Sequence, residues 1–197
     1  GASLIFDFRG LWADERIDKG LWKLTNKFHL LQYKYYKFVE KFALSRSDHI
    51  VVLTQIVKRE LIKLYDIQHT KFSVIPCCAD FTHFKPLSRH QRDLSRSRLN
   101  LPTDGLVFGY LGSIGGMYMC KQYLELLYYM FKAGIDIYGL ILTPDISAFE
   151  SYLSSFPSIF RTRLVYRYVS RDDVASFLPA MDILTSFITS TYARQGA

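Results

Sequence analysis

The residues with the clearest chemical potential form a short glycine-rich stretch, Gly112-Ser113-Ile114-Gly115-Gly116. It follows the apolar run Leu106–Leu111, which the pattern predicts as a buried strand. Apolar residues then recur at helical spacing over Met117–Lys132. A glycine-rich turn between a strand and a helix exposes backbone N–H groups, and these groups together with the helix dipole favour a phosphate. The stretch matches neither the dinucleotide fingerprint nor a P-loop, so an ordinary strand-to-helix turn explains the pattern about as well.

Two further groups lie where they could assist an anion site. Lys121 is placed early in the predicted helix, from which its ammonium can reach back towards a phosphate at the loop. The alternative is a solvated lysine on the helix surface. Val169-Ser170-Arg171 follows another predicted strand, and ligands of open α/β sheets bind at the carboxyl ends of the strands.

The elements that must position these residues alternate between strands and helices along the whole chain. The predicted strands are unbroken apolar runs, which is typical of a parallel sheet covered by helices on both faces. Ser88–Asn100 is polar and rich in arginine, with no apolar periodicity. We therefore predict an α/β fold of two parallel-sheet domains, at 1–92 and 104–197, joined by a linker at 93–103.

The predicted helix Lys23–Leu44 carries an apolar face beside a stripe of lysines. Its apolar residues at helical spacing are Leu24, Phe28, Leu31, Tyr35, Val39 and Phe42, and its lysines are Lys23, Lys27, Lys34, Lys37 and Lys41. Such a helix could lie on an anionic membrane. We favour a core helix with a solvated basic flank, because the aromatic residues must first fill a core.

Composition restricts the class of protein and the kind of partner. The chain has 197 residues, 49% of them hydrophobic, and a formal net charge of +7, which favours anionic partners. Nucleic acid is the weakest of these, because no aromatic residues interleave with the arginines of Ser88–Asn100. The three cysteines and five histidines show neither disulfide nor zinc spacing, and no nucleophile elbow is present. We expect a reducing compartment, and a piece of a longer protein.

Several stretches in this order and spacing resemble a retaining GT-B glycosyltransferase of the large group-1 (GT4-type) family. They are Phe6–Arg16 (Phe-Asp-Phe-Arg-Gly-Leu-Trp-Ala-Asp-Glu-Arg), Ser47–Thr54, Val74–Asp80, Phe84-Lys85-Pro86, Gly109–Tyr118 and Met181-Asp182-Ile183. No single motif is specific, but together they cover nearly the whole chain.

The resemblance implies two Rossmann-like (GT-B) domains and a nucleotide diphosphate sugar as donor, bound mainly by the second domain. A glycan or lipid-linked acceptor would bind mainly to the first. The resemblance assigns the diphosphate to Gly112, Ser113, Gly115, Gly116 and Lys121. It assigns the nucleotide base to Val169, Ser170 and Arg171. Asp7 and Arg9 fall beside the reacting sugar, as the catalytic candidates. Catalysis in such enzymes is electrostatic, so no metal or other cofactor is expected.

The sequence departs from the family pattern in three ways. Ser113 stands where the family usually has arginine, as in one branch of it. The paired donor-binding glutamates would lie beyond Ala197, and the front of the first domain is missing. We therefore expect a fragment with little or no activity of its own, lacking both ends of the protein.

The predicted location is cytoplasmic, with peripheral contact at the inner face of the membrane left open. The alternative function is a non-catalytic nucleotide-binding module whose basic half docks on a membrane or a partner.

Overall fold

A computed structural model describes residues 2–85, 88–191 and 193 of the chain. The chain forms two compact units. The first contains the described residues of 1–78 and 190–197, and the second those of 79–189. Pro86, at the end of one stretch of the family resemblance, lies outside the described residues.

The first unit is built on a three-stranded parallel sheet. Its strands are β1 (Ile5–Phe8), β2 (His49–Val52) and β3 (Phe72–Val74), in the order β1-β2-β3. The helices are α1 (Trp12–Asp18), α2 (Lys27–Arg46) and α3 (Gln55–Tyr65), and a 3₁₀ turn covers His69–Lys71. The Asn26 side chain accepts hydrogen bonds from the first turn of α2, and Thr54 does the same for α3.

The second unit is built on a four-stranded parallel sheet in the order β6-β5-β4-β7. Its elements are α4 (Arg89–Arg98), β4 (Leu106–Leu111), α5 (Cys120–Lys132), β5 (Ile137–Leu142), α6 (Ile146–Leu153), α7 (Ser158–Arg161), β6 (Leu164–Arg167), α8 (Val174–Phe177) and β7 (Ile183–Thr185). A core cluster that includes Tyr123, Leu127, Phe149 and Phe160 packs on one side of this sheet. The prediction of an α/β fold with parallel sheets is confirmed.

The stretch in which we placed a linker folds as part of the second unit. α4 ends at Arg98, and Arg96 on it is fully buried. The Arg96 guanidinium donates to the carbonyl oxygens of Gly105 at 2.8 Å and Ala180 at 3.0 Å, and it pairs with Asp182. A polar sequence therefore packs here because its buried arginine has partners in the segment after α4 and also, at Ala180 and Asp182, far along the chain.

The prediction that the apolar face of α2 fills a core is wrong. Phe28, Leu31 and Phe38 are 65%, 66% and 65% exposed, and Tyr35 and Phe42 are exposed as well. Among the residues of α2, only Leu44 is fully buried. None of the helices in the described part of the chain has the length and apolar content that a membrane span requires.

The inward side of α2 is polar instead. The Lys37 ammonium lies 2.9 Å from Asp14 of α1 and 2.5 Å from Glu40, and the hydroxyls of Tyr33 and Tyr65 donate to these two carboxylates. Burial would lower the pKa of Lys37, but the bonds to Glu40, Tyr65 and Asp14 outweigh it and raise that pKa. Burial and the bond to Asp14 raise the pKa of Tyr33 to about 12. This polar cluster joins α2 to α1 and turns the aromatic face outward.

Candidate functional site

The glycine loop lies at the carboxyl edge of the second sheet. Leu111 at the end of β4 pairs with Leu142 at the end of β5, and Leu142 pairs in turn with Arg167 at the end of β6. Because all four strands are parallel, the segments that follow them emerge at the same edge. Ligands of open α/β sheets bind at this edge.

The loop has a conformation that requires glycine. Gly115 has φ +90° and Gly116 has φ +59°, both in the left-handed region that other residues rarely adopt. A Cβ atom built at either position would meet no other atom within 4 Å. The glycines therefore serve the turn itself and leave the space beside the backbone open.

Side chains and backbone of neighbouring elements anchor the loop. The Tyr110 hydroxyl donates to the carbonyl oxygen of Ser113 at 2.6 Å, and the Ile114 N–H donates to Asp145 Oδ2 at 2.8 Å. Burial raises the pKa of Tyr110 well above its ordinary value, so its hydroxyl stays a donor. These two hydrogen bonds thus tie the loop to β4 and to the segment that follows β5.

The residues that lead from the loop into α5 are held by the segment after β7. The Met119 N–H donates to the carbonyl oxygen of Phe187, and the Thr189 N–H donates to that of Met117, both at 2.9 Å. This pairing explains why α5 begins at Cys120, three residues later than the periodicity predicts. Met119 occupies the N-cap position and has no side-chain oxygen to offer the first turn of α5. The N–H groups of that turn are therefore suited to an anion.

Lys121 is the second residue of α5, next to the loop. Its side chain is 59% exposed, and its ammonium lies 3.8 Å from Glu125 Oε1. An exposed ion pair of this kind is weak, so it would exchange readily for a phosphate contact. Both interpretations of Lys121, a phosphate ligand and a solvated lysine, are compatible with this position.

Val169, Ser170 and Arg171 lie at the same edge, after β6. β6 is two strands away from β4, which places this segment about 10 Å from the glycine loop along the sheet. The Ser170 hydroxyl donates to Asp173 Oδ2 at 2.6 Å, so it holds its own turn, whereas Arg171 is exposed. Of these three residues, Arg171 is the one with a charged group open to a ligand.

Asp7 and Arg9 belong to the first unit, at the end of β1. The Arg9 guanidinium lies 2.7 Å from Asp7 Oδ2, and both side chains are exposed. Beside them lies a mainly apolar cavity of about 470 Å³, lined by Phe6, Phe8, Trp12, Tyr36 and Val39 among others. The two predicted catalytic residues therefore neutralise each other at the rim of a cavity that the sequence did not indicate.

Asp145 is the residue of this edge that our sequence reasoning missed. It follows β5 after Thr143-Pro144, and its carboxylate contacts the glycine loop 31 residues earlier. The rule applied to Val169–Arg171, that binding groups follow strand ends, would have identified it. Position after a strand was the available signal, and its hydrogen-bond partner was not visible in the sequence.

Comparison with known proteins gives matches to both sequence and fold. Residues 4–83 match the family model of Glycosyltransferase Family 4. HepE of Anabaena, solved with UDP and with UDP-glucose, superposes in the latter complex with a TM-score of 0.64 over 95% of this chain and 47% of its own, at 11% identity.

A glycosyltransferase from Rickettsia africae (TM-score 0.57, 16% identity) covers 78% of this chain and 41% of its own. WaaG, a glycosyltransferase involved in lipopolysaccharide biosynthesis (TM-score 0.58, 15% identity), covers 78% of this chain and 42% of its own. No curated protein matches the chain in sequence.

The fold is that of the GT-B glycosyltransferases. The resemblance to the group-1 (GT4-type) members is confirmed by the family match at residues 4–83 and by the folds of the solved structures. The chain spans less than half the length of the solved GT-B structures described above. Asp7 and Arg9 lie within the part that matches the family model, whereas the glycine loop lies outside it.

Proposed function

We propose that this chain is part of a retaining glycosyltransferase that moves a hexose from a nucleotide diphosphate sugar to a glycan or lipid-linked acceptor. The observation that carries the proposal is the glycine loop. Its left-handed glycines leave the backbone open beside the uncapped first turn of α5, where Lys121 supplies a cation. That HepE of Anabaena was solved with UDP-glucose supports a donor of this class.

The proposed chemistry needs only positive groups at this edge of the sheet. The N–H groups of the loop and of α5, together with the Lys121 ammonium, would stabilise the negative charge of the departing diphosphate. This arrangement supports a reaction that requires no metal or other cofactor. The segment Val169–Arg171 would receive the nucleotide base, with Arg171 as its exposed charged member.

Asp7 and Arg9 are proposed to act beside the reacting sugar. The Arg9 guanidinium lies beside the Asp7 carboxylate at the end of β1, next to the apolar cavity. The acceptor, on this proposal, binds in the first unit. The proposed enzyme works in the cytoplasm.

Titration calorimetry of the full-length gene product with UDP and with uridine tests the donor site. Lys121→Ala removes a charge-assisted contact of about 1.5–3 kcal/mol, so UDP should bind roughly ten- to a hundredfold more weakly. Uridine, which has no phosphate, should be affected much less. Gly115→Val should also weaken UDP, because it places a side chain where the backbone must approach the anion and strains a residue at φ +90°.

Lys132→Ala is the matched control, since Lys132 ends the same helix about 16 Å from Lys121. Equal UDP affinities for wild type and Lys121→Ala would show that Lys121 is a solvated lysine of the helix surface and does not contact the phosphate. Absence of UDP binding by the wild type would contradict the proposed function as a whole.

We also propose that the first unit contacts an anionic membrane through α2, at the inner face of the membrane. Phe28, Leu31 and Phe38 form an exposed apolar stripe, and the exposed Lys27 and Lys34 lie along one side of it. Apolar side chains that insert into the interface and lysines that meet anionic headgroups are the two components of such binding. The same surface would serve the alternative function, a non-catalytic nucleotide-binding module with a docking half.

A further inference from the structure

Asp145 occupies an unusual position for its side chain. It is the N-cap residue of α6, yet its side chain caps none of the N–H groups of that helix. Its Oδ2 instead accepts a hydrogen bond from the backbone N–H of Ile114 in the glycine loop, at 2.8 Å. An aspartate at this position ordinarily caps its own helix, so the bond to the loop replaces the usual one.

The backbone beneath Asp145 is fixed by a buried threonine. The Asp145 N–H donates to the Thr143 hydroxyl at 3.1 Å, and Thr143 is 2% exposed. The Thr143 N–H in turn donates to the carbonyl oxygen of Arg167 at the end of β6. The carboxylate that holds Ile114 is therefore built on the sheet itself rather than on a free loop.

The glycine loop needs such a tether. Gly112, Gly115 and Gly116 all have positive φ, and glycine loses more conformational freedom on ordering than any other residue. Two side chains act on the residues between these glycines: Tyr110 on the carbonyl of Ser113, and Asp145 on the N–H of Ile114. The bond to Asp145 has a charged acceptor, which makes it the stronger of the two.

We propose that Asp145 is a positioning residue of the glycine loop, which it holds ready for a diphosphate by binding the Ile114 N–H. This inference rests on the proposed function for the ligand, but the tether itself can be tested without one. A loop that is ordered on folding loses little further conformational entropy when the diphosphate binds, so it binds the diphosphate more tightly than a mobile loop does. Asp145 acts on the donor through the loop backbone.

The test compares Asp145→Ala and Asp145→Asn with wild type by hydrogen exchange and by calorimetry. In Asp145→Ala the Ile114 amide should exchange at least tenfold faster, and UDP should bind about tenfold more weakly, as expected for loss of one bond to a charged group. Uridine affinity and the thermal unfolding midpoint should change little. Asp145→Asn retains an acceptor oxygen, so its Ile114 exchange should rise less and its UDP affinity should fall less than in Asp145→Ala.

Asp104→Ala is the control for charge alone, because Asp104 is exposed and precedes β4, about 20 Å from the loop along the strand. It should change neither readout. Unchanged Ile114 exchange in Asp145→Ala would overturn the tether, and unchanged UDP affinity would overturn the positioning role. If the wild type itself fails to bind UDP, the proposed function fails, and the exchange comparison still decides whether Asp145 tethers the loop.

Discussion

Helices α2 and α5 have similar apolar periodicity but face opposite ways. In α5 the stripe that includes Tyr123, Leu124 and Leu127 is fully buried against the second sheet. In α2 the corresponding stripe is exposed, from 40% at Val39 to 66% at Leu31. The period of apolar residues therefore predicted both helices, but it predicted the buried face of only one.

The difference lies in what the other face of each helix meets. The polar side of α2 carries Lys37 and Glu40, which have charged and hydroxyl partners on α1 and α3. In α5 the corresponding polar residues, Lys121 and Glu125, pair with each other across an exposed surface. A helix buries its polar side when neighbouring elements supply complementary charges, and this property cannot be read from one helix alone.

The largest expected effect is a difference in the free energy of unfolding between two variants. Each replaces a leucine by alanine, one on α5 and the other on α2. Leu127→Ala leaves a cavity in the core and should cost about 2–5 kcal/mol. Leu31→Ala removes an exposed side chain and should stay within about 0.5 kcal/mol. Urea unfolding of the two variants measures this contrast. Similar losses for both would show that the α2 stripe is buried in solution.

A smaller effect is expected for the polar cluster beneath α2. Lys37→Met leaves the carboxylates of Asp14 and Glu40 without their shared cation and should cost about 2 kcal/mol, less than for a completely buried pair because Lys37 is partly exposed. Lys34→Met, on the solvent side of the same helix, should cost almost nothing. Chemical denaturation of both variants at neutral pH decides the point. If Lys37→Met leaves the free energy of unfolding unchanged, the cluster does not orient α2.

The smallest expected effect concerns binding of α2 to a membrane. Wild type should sediment with vesicles that contain anionic lipid and should stay in solution with neutral vesicles. Lys34→Met should weaken the anionic binding roughly fivefold, since each lysine near such a surface contributes about 1 kcal/mol. Lys132→Met on α5 is the matched control and should bind as wild type does. Equal binding to neutral and anionic vesicles would contradict the proposed contact.

The sequence predicted those parts of the fold that depend on local pattern. The run Leu106–Leu111 was predicted as a strand at the residues where the structure has it. Arg96 was not predicted as buried, because the carbonyl of Ala180 that satisfies it comes from the far end of the second unit. The role of Asp145 was missed for the same reason, since its partner Ile114 belongs to another loop.

The conformation of the glycine loop and its place in the fold could be predicted from the sequence, whereas its ligand stays a prediction. Gly115 and Gly116 have the left-handed conformation that a glycine turn suggests, and the loop lies at the predicted edge of a parallel sheet. Whether Lys121 and Val169–Arg171 bind a nucleotide stays a prediction. A solvated lysine, and a turn in which the Ser170 hydroxyl bonds to Asp173, would give the same sequence pattern.

The central claim is that the glycine loop binds the diphosphate of a nucleotide sugar. Titration of isotope-labelled full-length protein with UDP, followed through its backbone amide resonances, tests this claim residue by residue. The account predicts saturable shifts that are largest at Gly115, Gly116 and Lys121, with smaller ones at Ser170 and Arg171. Saturable binding that leaves the loop amides unmoved, or no binding at all, would contradict it.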